Sequence, residues 1–453
     1  MKKNILLINP WIYDFTAFDF WMKPLGLLYM ASILKEHTHS NLYFLDCLDR
    51  DHPRLPKKTK TKADGRGSFF KEEVKKPSVL KQVPRKYSRY GIPVDLFLYD
   101  LGRIPKPDVV LLTCTMTYWY PGVQAVIEII RDKLGNIPVV LGGVYPTLLP
   151  EHATSESGAD CIVEGPGEKR ILSLLKEILG DDFCSDLKFE SLDEMPHPLF
   201  DLLRNRESLP VLTSRGCVFD CSFCAAPVIF PKFEQRNTAS VVSELEMNYK
   251  QYGTRNIAFY DDALLLNKKN HVIPVLKEII SKKVPLVFHT PNGLHVKEID
   301  LTLASLMKKA NFKSIFLSQE SFDENVLNEH CPKVSSSDFD KALAHLEKAG
   351  FAPEEINVYL MVGIPGQNAL SVKESILNVQ SRGLKPRLAF FSPVPGTRDW
   401  KKMVDEGYIR KKADPLIYNK LTFPYIWGDF SAKDFEKIRG KIRGHFTHLP
   451  YLK

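Results

Sequence analysis

No apolar run in this sequence approaches the roughly 18 residues needed to span a bilayer. Ile5-Leu6-Leu7-Ile8 is a short run that stops at Asn9-Pro10. It is too short for a secretory leader and lacks a small-residue cleavage site, so a cytoplasmic protein is expected. No segment recurs at the period of about 20–50 residues typical of solenoids, and no low-complexity tract interrupts the chain. The loop after the first apolar run, Trp11-Ile12-Tyr13-Asp14-Phe15-Thr16, has no histidine. The eight cysteines include no second C-x2-C pair to complete a structural zinc site.

What is present is ordinary in bulk and unusual in one place. At 453 residues, 44% hydrophobic and 26% charged, the chain can fill two or three cores. The net charge of +8 is concentrated between Arg54 and Arg89, with Lys57, Lys58, Lys60, Lys62, Lys71, Lys75, Lys76, Lys81, Arg85 and Lys86. A nucleic-acid surface and a solvated, partly mobile insertion loop both fit this composition. The run has no repeated basic helix face, which favours the loop and makes nucleic acid the less favoured partner.

Hydrophobic periodicity organises the rest. Strands are expected at Ile5–Asn9, Asn41–Cys47, Asp108–Cys114, Pro138–Gly143 and Asp160–Gly165, with helices at Pro24–Glu36, Gly122–Leu134 and Glu168–Leu179. Continuous apolar strands such as Val109-Val110-Leu111-Leu112 belong in a parallel sheet covered on both faces. Residues 1–185 therefore read as a doubly wound, Rossmann-like α/β domain with a basic insertion at about 51–92. A linker is expected at 186–205, around Asp193-Glu194-Met195-Pro196-His197-Pro198.

The alternation resumes over 206–400. Strands are expected at Leu209–Thr213, Asn256–Asp261, Leu286–Thr290, Ser314–Gln319, Ile356–Val362 and Arg387–Phe391. Helices are expected at Ala239–Tyr252, Lys268–Lys282, Ile299–Lys309, Asp338–Ala349 and Ala369–Ser381. Six such units make a partial (β/α) barrel, whose chemistry sits just beyond the strand ends. Residues 401–453 read as a mainly helical segment, with Tyr425, Trp427 and Phe430 as either core or pocket.

The unusual place follows the first barrel strand. Cys217, Cys221 and Cys224 stand in C-x3-C-x2-C spacing within one loop. Such a loop can wrap a 4Fe–4S cube and leave one iron open for a small molecule. A zinc site and three unligated thiols are the competing arrangements; the missing fourth ligand and the tight spacing disfavour them.

With Phe223 before the last cysteine, this loop resembles the signature of the radical S-adenosylmethionine (SAM) superfamily, a resemblance that runs through most of 209–398. It implies reductive cleavage of SAM at the cluster and a low-potential electron donor of flavodoxin or ferredoxin type. It also implies SAM contacts from Phe223, the Asp261-Asp262 pair, Asn292, Glu320, Ser321 and Val362. Solvated strand-end acids are the plainer account of the aspartates.

The first domain resembles the cobalamin-binding domain that precedes this barrel in one subfamily. The resemblance implies contacts from Asn9, Pro10, Thr115, Met116, Thr117, Gly142, Gly143, Thr147, Glu164 and Gly165. Because the D-x-H-x-x-G histidine is missing, a bound cobalamin would lack that lower ligand; a degenerate docking domain is the alternative. Cys331, in Asn328-Glu329-His330-Cys331-Pro332-Lys333, is a hydrogen-atom donor, a carrier of a substrate adduct or, more simply, a small packed residue.

The function expected is a cobalamin-dependent radical SAM enzyme that methylates an unactivated carbon of an unidentified substrate. An RNA-modifying enzyme using the basic 54–89 stretch ranks lower, because a second cysteine triad and a C-terminal RNA-binding barrel are not evident. A non-catalytic iron–sulfur sensor or assembly protein is the third alternative.

Overall fold

The computed structural model describes residues 2–184 and 189–422, together with 431, 433–434 and 437–438. Tyr425, Trp427 and Phe430 lie outside the described residues. The chain divides into two compact units, Met1–Arg206 and Glu207–Lys453.

The first unit is built on five parallel strands: β1 (Asn4–Asn9), β2 (Asn41–Asp46), β3 (Val109–Cys114), β4 (Val139–Gly143) and β5 (Cys161–Ile162). Their spatial order is β2-β1-β3-β4-β5. β1 is the pivot, with Leu7 paired to Phe44 on one side and Leu111 on the other. Ile5, Leu6, Leu7 and Ile8 are all fully buried, as a central strand covered on both faces requires. The strand order reverses between β1 and β3, which places a crevice beyond their carboxyl ends. Helices Leu25–His37, Tyr120–Leu134 and Ile171–Leu179 supply the covering layers.

The basic insertion is more ordered than a solvated, partly mobile loop. Ile12–Asp14, Ser88–Tyr90 and Lys71–Glu73 form a three-stranded antiparallel sheet. Ile12, Phe69 and Tyr90 pack together beneath it. Several of the cations are paired within the unit: Lys86 with Glu73, Arg89 with Glu72, and Arg66 with Asp64 while stacked on Phe20 and Trp21. That pairing reduces the charge left for a polyanion. The stretch expected as a linker is likewise docked. Leu199 N donates to Leu28 O at 3.0 Å, Phe200 is fully buried, and Arg204 pairs with Asp49 at 2.8 Å.

The second unit is a parallel sheet of β6 (Ser208–Val211), β7 (Asn256–Phe259), β8 (Val287–His289), β9 (Phe312–Glu320), β10 (Ile356–Val362) and β11 (Lys385–Phe390). These strands lie in sequence order, and the short strand Leu294–His295 adds to β9. A helix lies in each connection, including Thr238–Tyr252, Val272–Ser281 and Ala369–Ser381. The core contains a stack of three rings on adjacent strands, Phe259 on Phe288 at 5.3 Å and Phe288 on Phe312 at 5.2 Å. Each buried Phe contributes roughly 1.5–3 kcal/mol by burial.

The helix after the cysteine loop is set by its N-cap, Asn237, whose side chain accepts from Ser240 N, and it ends on left-handed Gly253. Just before that cap, buried Arg236 pairs with fully buried Glu244 and donates to Leu212 O at 2.9 Å. Glu244→Leu leaves the guanidinium buried without its counter-charge and is expected to cost about 3–5 kcal/mol. Urea unfolding of the second unit's signal would report this; an unshifted midpoint would show that the pair contributes nothing.

Candidate functional site

Residues 216–233 leave the barrel as an excursion closed by a stem, in which Ser214 and Arg215 pair antiparallel with Gln235 and Glu234. Gly216, at φ +79, opens the excursion, and a Cβ there would lie 2.6 Å from Lys232 O. Only glycine fits that close, left-handed position. Gly216 N donates to Asp262 Oδ2 at 3.0 Å, which ties the loop to the end of β7.

Ser222, between the second and third cysteines, anchors the middle. Its N–H donates to His330 O at 2.9 Å and its carbonyl accepts from Asp399 N at 3.0 Å. Its hydroxyl donates to Asp399 Oδ2 at 2.8 Å and lies 2.7 Å from His330 Nδ1. The trio is structural. Both Ser222 and Asp399 face Nδ1, while Nε2 faces Pro365 O at 3.0 Å, whereas a nucleophilic triad needs serine and aspartate on opposite ring nitrogens. No local pattern in the sequence marks these partners.

The three cysteines thus stand on one braced loop, Cys221 buried and Cys217 and Cys224 half-buried, all with free thiols. Among the described residues no three or more His, Cys, Asp or Glu side chains converge on a single-ion site. A 4Fe–4S cube presents a separate iron to each thiolate. Burial pushes the Cys224 thiol up to about 11 and raises Cys217. Cys221 moves the other way, below the ordinary thiol range, because the Cys331 thiol bonds to it and Lys333 lies close, against the effect of burial. Burial opposes a charged Lys333, but Cys221, Cys331, Glu320 and Cys217 together hold its ammonium above the ordinary lysine range.

The strand ends around this loop differ in what they offer. Asp261 is buried; its Oδ1 accepts from Thr213 N, Thr213 Oγ1 and Ser214 Oγ at 2.6–3.0 Å. Its Oδ2 is buried with no hydrogen-bond partner among the described residues, and burial pushes the carboxyl up to about 6. An orphaned carboxylate oxygen at a strand end fits a ligand ammonium. Asp262 is half-buried and raised by burial, against the Gly216 N–H and Arg215.

Glu320 ends β9 in the left-handed region, φ 64, where the pairing with β10 slips register. Such a bulge re-aims a side chain at a local cost in strain. Glu320 is buried, and burial raises its carboxyl against the pull of Lys333.

The other expected SAM contacts are more occupied. Asn292 is exposed, and its amide donates to Tyr260 O at 2.8 Å and Asp261 O at 3.3 Å. Ser321 is fully buried, its hydroxyl accepting from Asp323 N. Val362 is fully buried at the end of β10, and Phe223 is half-buried beside the cysteines. Three groups escaped the sequence reading. Gln367 closes the turn after β10 by accepting from Gly363 N at 2.8 Å and donating to Met361 O at 3.1 Å. His295 packs edge-on to Phe219 at 4.6 Å and is pushed down to about 3 by burial and then by Lys333, so it stands neutral. Lys333 is the third.

In the first unit the crevice at the β1/β3 switch point is lined by Asn9, Pro10, Trp11, Lys23, Thr113 and Thr115, among others. Thr115 and Glu164 are exposed, and Met116, Gly142, Gly143 and Gly165 are partly so. A Cβ on Gly142 would meet nothing nearer than Val163 at 3.9 Å, which leaves an open, side-chain-free strand end for a bulky ligand. The remaining candidates are committed internally. Asn9 donates to Asp46 at 2.7 Å, Thr117 is buried, and Thr147 Oγ1 donates to Gly143 O at 2.7 Å while accepting from Gly165 N at 2.9 Å. Trp11 Nε1 donates to Ile92 O at 2.7 Å, so the loop without histidine is filled by a buried indole. The donor set and the bare strand ends fit a corrinoid without a protein histidine beneath it.

Family models agree with both units. The Radical SAM superfamily model matches residues 211–377 and the B12 binding domain model matches residues 102–175. The chain is a radical SAM enzyme with a B12-binding domain ahead of the radical SAM domain.

Among its relatives is an uncharacterized methyltransferase of Pyrococcus horikoshii, 27% identical over 342 residues, covering 69% of this chain and 73% of the relative. A bacteriochlorophyllide d C-12(1)-methyltransferase of Chlorobaculum tepidum is 24% identical over 297 residues, covering 61% of this chain and 62% of its own. The structure of the radical SAM methyltransferase TsrM from Kitasatospora setae, with cobalamin and a [4Fe-4S] cluster bound, superposes with TM-score 0.68 at 16% identity. It covers 100% of this chain and 94% of that one. At that identity the likeness is one of fold. Among the described residues no helix is long and apolar enough to cross a membrane.

Asp399→Ala removes the carboxylate that holds Ser222 and His330. It should speed loss of iron to a chelator roughly 10- to 100-fold while the chain stays folded; unaltered release would show that the brace is dispensable. Asp46 is pushed up from 3.8 to about 6 by burial. The folded protein then retains a proton that the unfolded chain releases, so stability falls as pH rises from about 4 to 6. Asp46→Asn should flatten that part of the stability–pH curve, and an unchanged slope would contradict the shift.

Proposed function

We propose that this protein is a cobalamin-dependent methyltransferase that acts on an unactivated carbon, with Cys217, Cys221 and Cys224 holding the cluster. The observation that carries this reading is one braced three-thiol loop beside an orphaned Asp261 carboxylate oxygen. A switch-point crevice with bare glycine strand ends in the other unit accompanies it. When bound, the cluster supplies reductive cleavage of SAM and cobalamin a methyl carrier. The chain's own residues bind and orient. Asp261 Oδ2 accepts from the SAM ammonium, Asp262 keeps the loop closed over it through Gly216, and Glu320 and Lys333 set the charge beside it. Thr115, Met116, Gly142, Gly143, Glu164 and Gly165 contact the corrinoid, while Asn9 and Thr147 hold those strand ends in place.

The electron donor is of flavodoxin or ferredoxin type. The protein works in the cytoplasm, where its eight free thiols stay reduced. The bacteriochlorophyllide d C-12(1)-methyltransferase it resembles supports carbon as the methyl acceptor. The internally paired insertion gives no support to an RNA substrate.

Anaerobically reconstituted protein with a low-potential reductant should release 5′-deoxyadenosine from SAM. Cys217→Ala, Cys221→Ala and Cys224→Ala should each abolish both the cluster's visible absorbance and that release. Retention of both by any one of them would remove that residue from the ligand set. Protein produced with cobalamin available should carry about one corrinoid per chain, and failure to bind hydroxocobalamin would end the cobalamin assignment.

A further inference from the structure

The structure gives Cys331 a neighbour that the sequence does not show. Its side chain is 1% exposed and its Sγ lies 3.6 Å from Sγ of Cys221, a hydrogen-bonding separation for sulfur. The contact is not an accident of one rotamer. Ser222, next to Cys221, is bonded to His330, next to Cys331, through its N–H at 2.9 Å and its hydroxyl at 2.7 Å. Asp399 pins the same pair from a third segment. Cys331 N caps the helix Glu324–His330 by donating to Leu327 O at 2.8 Å, which fixes its backbone. The register of the two chains is therefore set independently of the sulfurs. The Lys333 ammonium sits in the same nest, near Cys221, Cys331 and Glu320 and 6.0 Å from the Phe219 ring.

We propose that Cys331 is a positioning residue for the cluster: as a thiol, it donates its S–H to the iron-bound sulfur of Cys221 and thereby raises the cluster's reduction potential. The inference rests on the assignment of Cys221 as a ligand. Reduction adds negative charge to the cube and its sulfurs, and a hydrogen bond to a ligating sulfur stabilises that charge. Partners one shell out from the iron commonly set both potential and ligand orientation. Cys331 is buried and so directs its one donor to one sulfur. Lys333 adds positive charge on the same side.

The test compares full-length wild-type, Cys331→Ala and Cys331→Ser proteins, each reconstituted anaerobically. Iron and sulfide are counted, and the cluster is titrated redox-potentiometrically with its reduced EPR signal as readout. All three should carry equal iron and sulfide. Cys331→Ala should be harder to reduce, with the reduced-to-oxidised ratio at a fixed potential falling about tenfold, or about 59 mV for one electron. Cys331→Ser keeps a donor and should recover at least half of that shift.

An unmoved midpoint in Cys331→Ala overturns the proposal. So does an equal drop in both variants, which would make the residue a packing element, and so does loss of iron from Cys331→Ala, which would make it a ligand. A wild-type protein that assembles no iron–sulfur cluster would instead overturn the ligand assignment on which the proposal rests.

Discussion

The placement of three thiols depends on a serine between them. Ser222 is bonded through its amide, its carbonyl and its hydroxyl to His330 and Asp399, and all three side chains are buried. Ordering a backbone residue costs about 1–2 kcal/mol, so a loop of eight residues from Cys217 to Cys224 has much to offset before any metal arrives. A buried hydrogen bond to a charged group contributes about 1.5–3 kcal/mol. The Ser222 bonds, the Gly216–Asp262 tie and the antiparallel stem at Ser214-Arg215 therefore recover a large part of that cost in the folded chain itself. The loop's preparation lies in bonds that the chain itself supplies.

That preparation explains which parts were legible in the sequence. Strands and helices follow local periodicity, and the expected elements agree with the observed ones to within a few residues, as at Ile356–Val362 and Ala369–Ser381. The cysteines are equally local, since one loop must wrap one cluster. The brace is not. Ser222 meets His330 across 108 residues and Asp399 across 177, and nothing at any of the three positions marks the others. The order within the basic insertion and the 186–205 stretch is hidden for a related reason. Their buried residues, Phe69, Tyr87 and Tyr90 in one and Leu199, Phe200 and Leu203 in the other, are scattered among charges and prolines. Composition registers the charges, while folding is decided by the few apolar anchors.

Burial also separates residues that the sequence presents as equals. Asp261 and Asp262 are neighbours with the same side chain, but β7 turns one inward and the other toward the loop. Asp261 commits one oxygen to three donors and leaves its second without a partner among the described residues; Asp262 uses an oxygen to close Gly216. Two adjacent acids thus do different things: one keeps an oxygen unoccupied among the described residues and the other holds the loop. Thr147 and Thr115 divide the same way in the first unit, one bridging two strand ends and the other left exposed.

The charges beside the cysteines complete the logic. A cube held by three thiolates is anionic and becomes more so on reduction, and a cavity lined only by carboxylates would resist that step. Here Lys333 is enclosed with Cys221, Cys331 and Glu320, while His295 nearby is kept neutral by burial and by that same ammonium. Glu320 is delivered to this nest by a left-handed residue at a register slip in β9, a conformation that a buried glutamate adopts only when its surroundings compel it. A strained acid and a buried cation facing the same thiol pair define a local field that packing alone would not require. Sulfur, ammonium and carboxylate are thus gathered in one nest, with a buried cation and a buried acid set against the same pair of thiols.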